Sequence, residues 1–264
     1  MSSTTVPQAA NEITGGVLFY QSPEPLNSEA HAGLGVELSD TPFTFAAQGT
    51  AVPLQVGEFG PASLSYPVIF SGPDYFPLAI MGIRRDENLF VTPEGGFEPE
   101  AYIPAFVRRY PFVLANDDVQ QRLVVCIDRA APFLKAGGAI PLFENGQPSE
   151  YTKNAIQFCQ DFEIDRQRTE NFVKRLRELD LFETKQALFT PRNPDGSAAE
   201  PVQLAEYFAV SPDKLNALPQ ETLMELLKSG ALQQIYIHLN SLLSWDRLIA
   251  RALLRQPAPA AGNA

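Results

Sequence analysis

The chain has 264 residues, 45% of them hydrophobic, which is enough for a buried core and excludes disorder throughout. Its 20 basic and 31 acidic residues give a net charge of -11, which argues against nucleic acid or an anionic membrane as a partner. No apolar run reaches the roughly 18 to 20 residues that cross a bilayer, and the first residues lack the basic and apolar regions of a signal peptide. We therefore expect no transmembrane segment and a cytoplasmic location.

Short apolar runs separated by proline and glycine fill the chain from about residue 18 to residue 142. They are VLFY, FTFAA, YPVIF, FPLAIMGI, NLFV, PFVL, RLVVCID and AIPLF. Runs of this length that are rich in Val, Ile, Phe and Tyr predict β-strands. The connections are too short for crossover helices, so we expect an antiparallel sheet with hairpins, one of them in GIRRDENLFV.

The apolar residues change to a helical period after Ser149. This spacing predicts a long amphipathic helix that Ser149 caps and that breaks near Ile164. TKQALFT and VQLAEYFAV then bracket PRNPDGS and predict a hairpin. Helical turns are expected after Ser211 and Pro219, and a last helix is expected over residues 231–255.

Strands followed by helices favour an α+β fold, with an N-terminal, mostly antiparallel sheet region and a helix-rich C-terminal half. We expect disordered tails at residues 1–16 and 256–264. Between them we expect a β-rich region at residues 17–148 and a mainly helical region at residues 149–255 that packs on it. The two regions are compatible with a single domain.

Familiar catalytic signatures are missing from the sequence. It has no G-x-S-x-G elbow, no G-x-x-x-x-G-K-[ST] phosphate loop and no H-E-x-x-H or C-x-x-C metal spacing. With His31 and His238 as the only histidines, a histidine-rich metal site is out of reach, and we expect neither metal nor cofactor. His238 is expected to pack at the core edge of the last helix. Cys126 and Cys159 are expected to be free thiols in the core.

The segment PLNSEAHAGL crowds several polar side chains next to an early strand. Glu29 and His31 are candidates for a catalytic acid and base, and Asn27 is a candidate ligand-binding residue. The competing interpretation is structural, namely an Asn-Ser turn with a satisfied carboxylate.

Arg108 and Arg109 stand side by side in AYIPAFVRRYPFVL, a segment that is otherwise uncharged and largely apolar or aromatic. Pro104 suits the first turn of a helix and Pro111 discourages helix before it, so one helical turn followed by a strand is compatible with the sequence. In either a helix or a strand, at least one guanidinium lies beside apolar groups. Because a guanidinium cannot shed its charge, it needs a partner.

Two kinds of partner are open for these arginines. One is a structural ion pair with an acid distant in sequence, for example Glu58. The other is a ligand carboxylate or phosphate held in a bidentate clamp, with Tyr110 or Tyr102 stacked beside it. A second basic feature is the row Arg247, Arg251 and Arg255, which suits a solvated helix face or a grip on an acidic partner or membrane surface.

Six segments in order are VLFYQSPEPLNSEAH, FAAQGTAVPLQVGEFGPASLSYPVIF, PLAIMGIRRDENLFV, YIPAFVRRYPFVL, VCID and IYIHLNSLLSWDRL. Together they resemble the SapC-like family of bacterial proteins over residues 17–251. The family name comes from association with a bacterial surface layer, and the resemblance implies a soluble polypeptide without a defined reaction. Where we expect a glycine at the end of the long helix, this chain has Asp180. Aspartate adopts the left-handed conformation less readily than glycine, so the residue at which the helix ends is not predicted. The residues at family motif positions are Asn27, Glu29, His31, Glu58, Asn88, Arg108, Arg109 and Tyr110.

From these observations we expect a non-catalytic binding or accessory protein that recognises a peptide, a small anionic ligand or a modifying enzyme. It would act beside modifying enzymes or surface-layer machinery. One alternative is an enzyme of unrecognised type that uses Glu29 and His31, and another is a structural surface-layer component, which the missing signal peptide disfavours. The candidate ligand-binding residues are Arg108, Arg109, Tyr110, Asn27, Glu58 and Asn88.

Overall fold

The structure is a computed structural model, and it describes residues 17–117, 122–191, 193, 195 and 197–255. The two predicted tails lie outside these residues. Strands are concentrated in the first half and helices in the second, so the predicted α+β fold is confirmed.

The strands of the described residues pair only in antiparallel fashion, as predicted. They are β1 (Pro23–Pro25), β2 (Leu34–Val36), β3 (Ala51–Pro53), β4 (Val68–Ser71), β5 (Phe76–Ile80), β6 (Phe112–Asp117), β7 (Arg122–Asp128), β8 (Leu134–Ala136), β9 (Ile140–Pro141), β10 (Phe143–Glu144), β11 (Gln147–Pro148), β12 (Phe182–Phe189) and β13 (Val202–Val210). The largest sheet has the order β12-β13-β4-β5-β3, and smaller sheets have the orders β1-β7-β6, β8-β2-β9 and β10-β11.

The helices of the described residues lie mainly after residue 149. They are α1 (Phe59–Ser63), α2 (Ala105–Arg108), α3 (Glu150–Glu178), α4 (Pro212–Asn216), α5 (Gln220–Lys228), α6 (Ala231–Ser241) and α7 (Ser244–Leu254). Short 3-10 turns occur at Thr44–Ala46 and Val56–Glu58. Among these described helices, none combines the length and the apolar character that crossing a bilayer requires.

The five-stranded sheet takes strands from both halves of the chain, since β13 pairs with β4 through Phe208 and Phe70. His238 of α6 strengthens this junction from a position that is 0% exposed. Its Nδ1 donates to the carbonyl of Val68 on β4 at 2.8 Å, and its Nε2 accepts the backbone N–H of Val210 on β13 at 3.1 Å. The predicted packing of His238 in the core is confirmed, and burial lowers its pKa to about 4.

The long helix α3 is continuous over 29 residues, so the predicted break near Ile164 is wrong. Ile164 is half exposed, so it departs from the helical spacing of the apolar residues. The backbone nevertheless stays helical at this position. The predicted cap is confirmed, because the side chain of Ser149 accepts the N–H of Thr152 at 3.3 Å. At about 1.5 Å per residue the helix is roughly 44 Å long, which lets it contact both halves of the core.

Three apolar runs that predicted strands form turns instead. FTFAA contains the 3-10 turn Thr44–Ala46, VLFY closes a turn between Val17 and Tyr20, and NLFV makes only an isolated bridge at Val91. Aromatic packing rather than sheet pairing covers several of their side chains; for example, the rings of Phe45 and Tyr110 stack with centroids 4.0 Å apart. Short apolar runs do not distinguish these outcomes. The hairpin expected in GIRRDENLFV is accordingly absent from the described residues.

The single last helix of the prediction is two helices, α6 and α7, that meet at residues 242–243. At the junction the hydroxyl of Ser241 donates to the carbonyl of His238 at 2.6 Å and accepts the N–H of Val68 at 3.0 Å. A hydroxyl bonded to the preceding turn bends a helix, which accounts for the break. Leu243, at this junction, is 77% exposed.

Candidate functional site

Arg108 and Arg109 end the single helical turn α2, which leads into β6 after two more residues. Of the conformations that the sequence left open, a helical turn followed by a strand is therefore the one observed. The turn is held at its start by Glu58, whose Oε1 accepts the backbone N–H of Ala105 at 2.6 Å. Because successive helical residues are about 100° apart, the two guanidinium groups leave the turn in different directions.

Arg108 lies at the surface and is held in a fixed orientation. Its Nε donates to the carbonyl of Ile103 at 2.9 Å, and its Nη2 donates to the hydroxyl of Tyr102 at 3.1 Å. The guanidinium carbon lies 5.7 Å from the ring centroid of Tyr102 and 5.1 Å from that of Phe158. Within the described part of the chain no carboxylate pairs with Arg108, so its outer N–H groups remain open to solvent.

Arg109 points inward and lies between two phenyl rings. Its guanidinium carbon is 4.2 Å from the ring centroid of Phe106 and 4.5 Å from that of Phe162. Its Nε is buried and has no hydrogen-bond partner among the described residues. The acid Glu163 acts on it through space but is already bound to Arg166 at 2.7 Å. Desolvation lowers the pKa of Arg109, yet a guanidinium keeps its charge at neutral pH.

The other polar groups beside Arg109 bring no negative charge. The hydroxyl of Tyr20, whose ring centroid is 5.9 Å from the guanidinium, donates to the carbonyl of Phe112 at 2.5 Å. Burial raises the pKa of Tyr20, and it raises the pKa of the Cys159 thiol to about 11 despite the nearby Arg109. Both groups are therefore neutral at pH 7. The predicted free, buried state of the thiols is confirmed for Cys159 and Cys126.

Glu58 is a buried junction of hydrogen bonds. Besides Ala105, its Oε1 accepts the hydroxyl of Tyr102 at 2.9 Å, and its Oε2 accepts the N–H of Gln55 at 3.0 Å. Burial raises the pKa of Glu58, and these donors together with Arg108 oppose that rise. Glu58 and Arg108 are thus connected through the hydroxyl of Tyr102 and not by a direct ion pair.

Tyr110 is engaged at both its ring and its hydroxyl. The ring stacks on Phe45, and the hydroxyl donates to Oδ2 of Asp128 at 3.1 Å. Asp128 is fully buried and also accepts the backbone N–H groups of Gln21, at 3.0 Å, and of Ser22, at 2.8 Å. Burial raises the pKa of Tyr110, with Asp128 adding to the rise.

The segment around His31 forms a local turn. Oδ1 of Asn27 accepts the N–H groups of Glu29 and Ala30 at 2.7 and 3.0 Å. The buried ring of His31 accepts the N–H of Asn27 at Nδ1 and, in that tautomer, donates from Nε2 to Glu24 at 2.8 Å. The carboxylate that contacts the ring is therefore Glu24, while the side chain of Glu29 is exposed.

Asn88 is buried in the loop after β5, and its polar atoms all have partners. Its Nδ2 donates to the carbonyl of Ala46 at 3.1 Å, and its Oδ1 accepts the N–H of Phe90 at 2.9 Å. Its own carbonyl accepts from Arg255 at 2.8 Å. These contacts join the loop to the N-terminal core and to α7.

The structure thus brings Glu58, Tyr102 and Arg108 into one hydrogen-bond network. Asn27, Asn88 and Tyr110 each belong to a different network. The rings that flank the arginines, Phe158 and Phe162, come from α3. Their i, i+4 spacing already placed them on one helix face, but no local pattern indicated that α2 packs there.

The family model described as SapC matches residues 26–248 of the chain. Neither the curated proteins nor the solved structures contain a significant match to it.

Proposed function

The chain belongs to the SapC family, and we propose that it is a binding or accessory protein that holds a carboxylate or phosphate of a peptide or small molecule at Arg108 and Arg109. The main support is Arg109, a partly buried cation whose buried Nε has no hydrogen-bond partner and which has no acid at ion-pair distance among the described residues. A buried charge without a counter-charge destabilises a fold unless something outside the chain offsets it.

In this proposal the two arginines have different tasks. Arg108 contacts the ligand directly, because it is exposed and is oriented by Ile103 and Tyr102. It also pairs with no carboxylate among the residues that the structure describes. Arg109, whose guanidinium lies between the rings of Phe106 and Phe162, adds positive potential in a poorly solvated environment, where charge interactions are stronger. Phe158 and Tyr102 offer ring surface to the remainder of the ligand.

The surroundings of His31 favour binding over catalysis. Both of its ring nitrogens are occupied by groups of the chain, Asn27 and Glu24, so neither is free to take a substrate proton. We propose that the protein acts in the cytoplasm, beside modifying enzymes or surface-layer machinery. Fractionation of producing cells tests the location, and recovery of the protein in the surface fraction would contradict it.

Ligand binding at Arg108 is tested by thermal shift and titration calorimetry with acetate, inorganic phosphate, and peptides ending in a free or an amidated C-terminus. We expect a saturable rise in melting temperature with an anionic probe, lost in Arg108→Ala. Arg85→Ala is the matched control, since Arg85 is 89% exposed and pairs only with its neighbour Asp86. If no probe stabilises the wild type, or if Arg108→Ala binds as the wild type does, the proposal fails.

A further inference from the structure

A second concentration of arginines lines a cleft between α7 and the loop that follows β5. The cleft has a volume of about 530 Å³ and is lined by Arg247 and Arg251, which the i, i+4 spacing puts on one side of α7, and by Arg255 directly after the helix. This volume is typical of small-ligand clefts. The cleft shares no residue with the site at Arg108.

Two of the three guanidinium groups of this cleft, those of Arg251 and Arg255, are anchored by hydrogen bonds and are not simply solvated. Arg255 donates to the carbonyls of Asn88 at 2.8 Å and of Val91 at 2.6 Å. Arg251 donates to the carbonyl of Leu89 at 3.3 Å. These bonds fix α7 on the loop and leave further N–H groups of the same side chains unused, so the donors are oriented before any ligand arrives.

The charges in the cleft do not balance. Glu98 is the acid in its lining, and it pairs with Arg251 at 3.2 Å. Arg247 and Arg255 form no ion pair with any described residue, and Arg247 makes only a 3.4 Å contact to the carbonyl of Leu64. Three cations and one anion leave an excess of two positive charges, in a chain whose net charge is -11.

Apolar surface borders these charges. Leu254 lines the cleft and is 85% exposed, and Leu253 beside it is 57% exposed. Leu89 forms part of the floor and is fully buried. The cleft therefore places positively charged groups that could bind an anion next to an exposed apolar surface.

We propose that this cleft binds a phosphate monoester carried on an apolar body. A monoester carries close to two negative charges at pH 7, which matches the excess of the cleft, and its oxygens accept several guanidinium N–H groups at once. The phosphate lies beside Arg251 with Arg247 and Arg255 on either side, and the apolar body lies against Leu254. The same chemistry belongs to a small soluble phosphate ester and to a phosphatidate headgroup.

Titration calorimetry with phenyl phosphate, inorganic phosphate and benzoate tests the inference on the full chain. We expect phenyl phosphate to bind more tightly than either of the others, because only it offers both two charges and an apolar body. Arg247→Ala should weaken phenyl phosphate about 10-fold, and Glu98→Gln should tighten it several-fold by removing a competing carboxylate. Neither variant removes the anchoring bonds of Arg255.

Arg85→Ala, outside both sites, is the control that should leave the affinity for phenyl phosphate unchanged, and the binding that depends on Arg247 should remain in Arg108→Ala. Absence of saturable binding, or binding that is insensitive to both Arg247→Ala and Glu98→Gln, overturns the inference. If Arg108→Ala is the only variant that abolishes phenyl phosphate binding, the inference about the cleft is overturned and the site at Arg108 is supported.

Vesicle co-sedimentation identifies the source of the phosphate. Binding to vesicles that contain phosphatidate, absent with phosphatidylcholine alone and reduced in Arg247→Ala, assigns the lipid headgroup. Phenyl phosphate binding without vesicle binding assigns a soluble ester. If neither probe binds, the cleft is only a structural junction and the inference fails.

Discussion

At the scale of single residues, the arrangement of Arg109 costs the folded state free energy, because its buried Nε has no hydrogen-bond partner among the described residues. Its guanidinium gains attraction from the faces of Phe106 and Phe162, worth on the order of 1 to 2 kcal/mol when desolvated. Desolvating a charge costs several kcal/mol after relaxation, which the two rings do not offset. Function is a common reason for a residue to remain where stability alone would replace it.

We expect Arg109→Met to fold, because methionine fills a similar volume without a charge. Its free energy of unfolding should equal or exceed that of the wild type, to a precision of about 1 kcal/mol. Urea denaturation measures this. Arg109→Lys should be less stable than Arg109→Met, since it keeps the charge and loses the planar stacking. A loss of more than about 2 kcal/mol in Arg109→Met would show that the cation itself supports the core.

At the scale of elements, the end of α3 shows how a local strain is tolerated. Asp180 has a positive φ of 51°, and the N–H of Leu181 bonds the carbonyl of Leu176 at 3.0 Å, which closes the helix end. This left-handed position favours glycine, so the departure at residue 180 carries a cost. The exposed pair between Asp180 and Lys214, at 3.0 Å, offsets little of it.

Asp180→Gly should therefore raise the free energy of unfolding by about 1 kcal/mol. Lys174→Gly is the matched control, because Lys174 is an exposed residue inside the same helix, where glycine should cost about 1 kcal/mol. Both changes are measured by thermal and urea denaturation. Equal destabilisation by the two substitutions would show that the left-handed residue is unstrained.

At the scale of the whole molecule, His238 makes cohesion between the two halves dependent on pH. The folded ring is neutral because Nε2 accepts a hydrogen bond and burial holds its pKa at about 4, whereas the unfolded chain has the ordinary value of 6.5. Between these pH values the unfolded state binds more protons, so acid favours unfolding. The stability is fully present above pH 6.5 and is lost as the pH falls towards 4.

We expect this titration to remove on the order of 3 kcal/mol between pH 6.5 and pH 4. His238→Gln should be less stable at pH 7, because it disturbs the bonds to Val68 and Val210, but its stability should fall less steeply over this range. Urea denaturation at a series of pH values measures both slopes. Parallel curves for wild type and variant would rule out His238 as the source.

The sequence by itself determined the features that local patterns encode. The helical period and Ser149 predicted α3 and its cap, the prolines around Arg108 and Arg109 were compatible with the turn α2, and the run of strands followed by helices predicted the α+β fold. Each depends on neighbours within a few residues, where backbone preference and periodicity act. The sequence also indicated that a cation in an apolar segment needs explanation.

Only the tertiary structure decided which groups meet across the chain. It placed Phe162 of α3 over Arg109, put Tyr102 between Arg108 and Glu58, and split the last helix where Ser241 bonds Val68. Such contacts join residues up to about 170 positions apart. Burial and hydrogen bonding over these separations depend on how whole elements pack, which a local pattern does not encode.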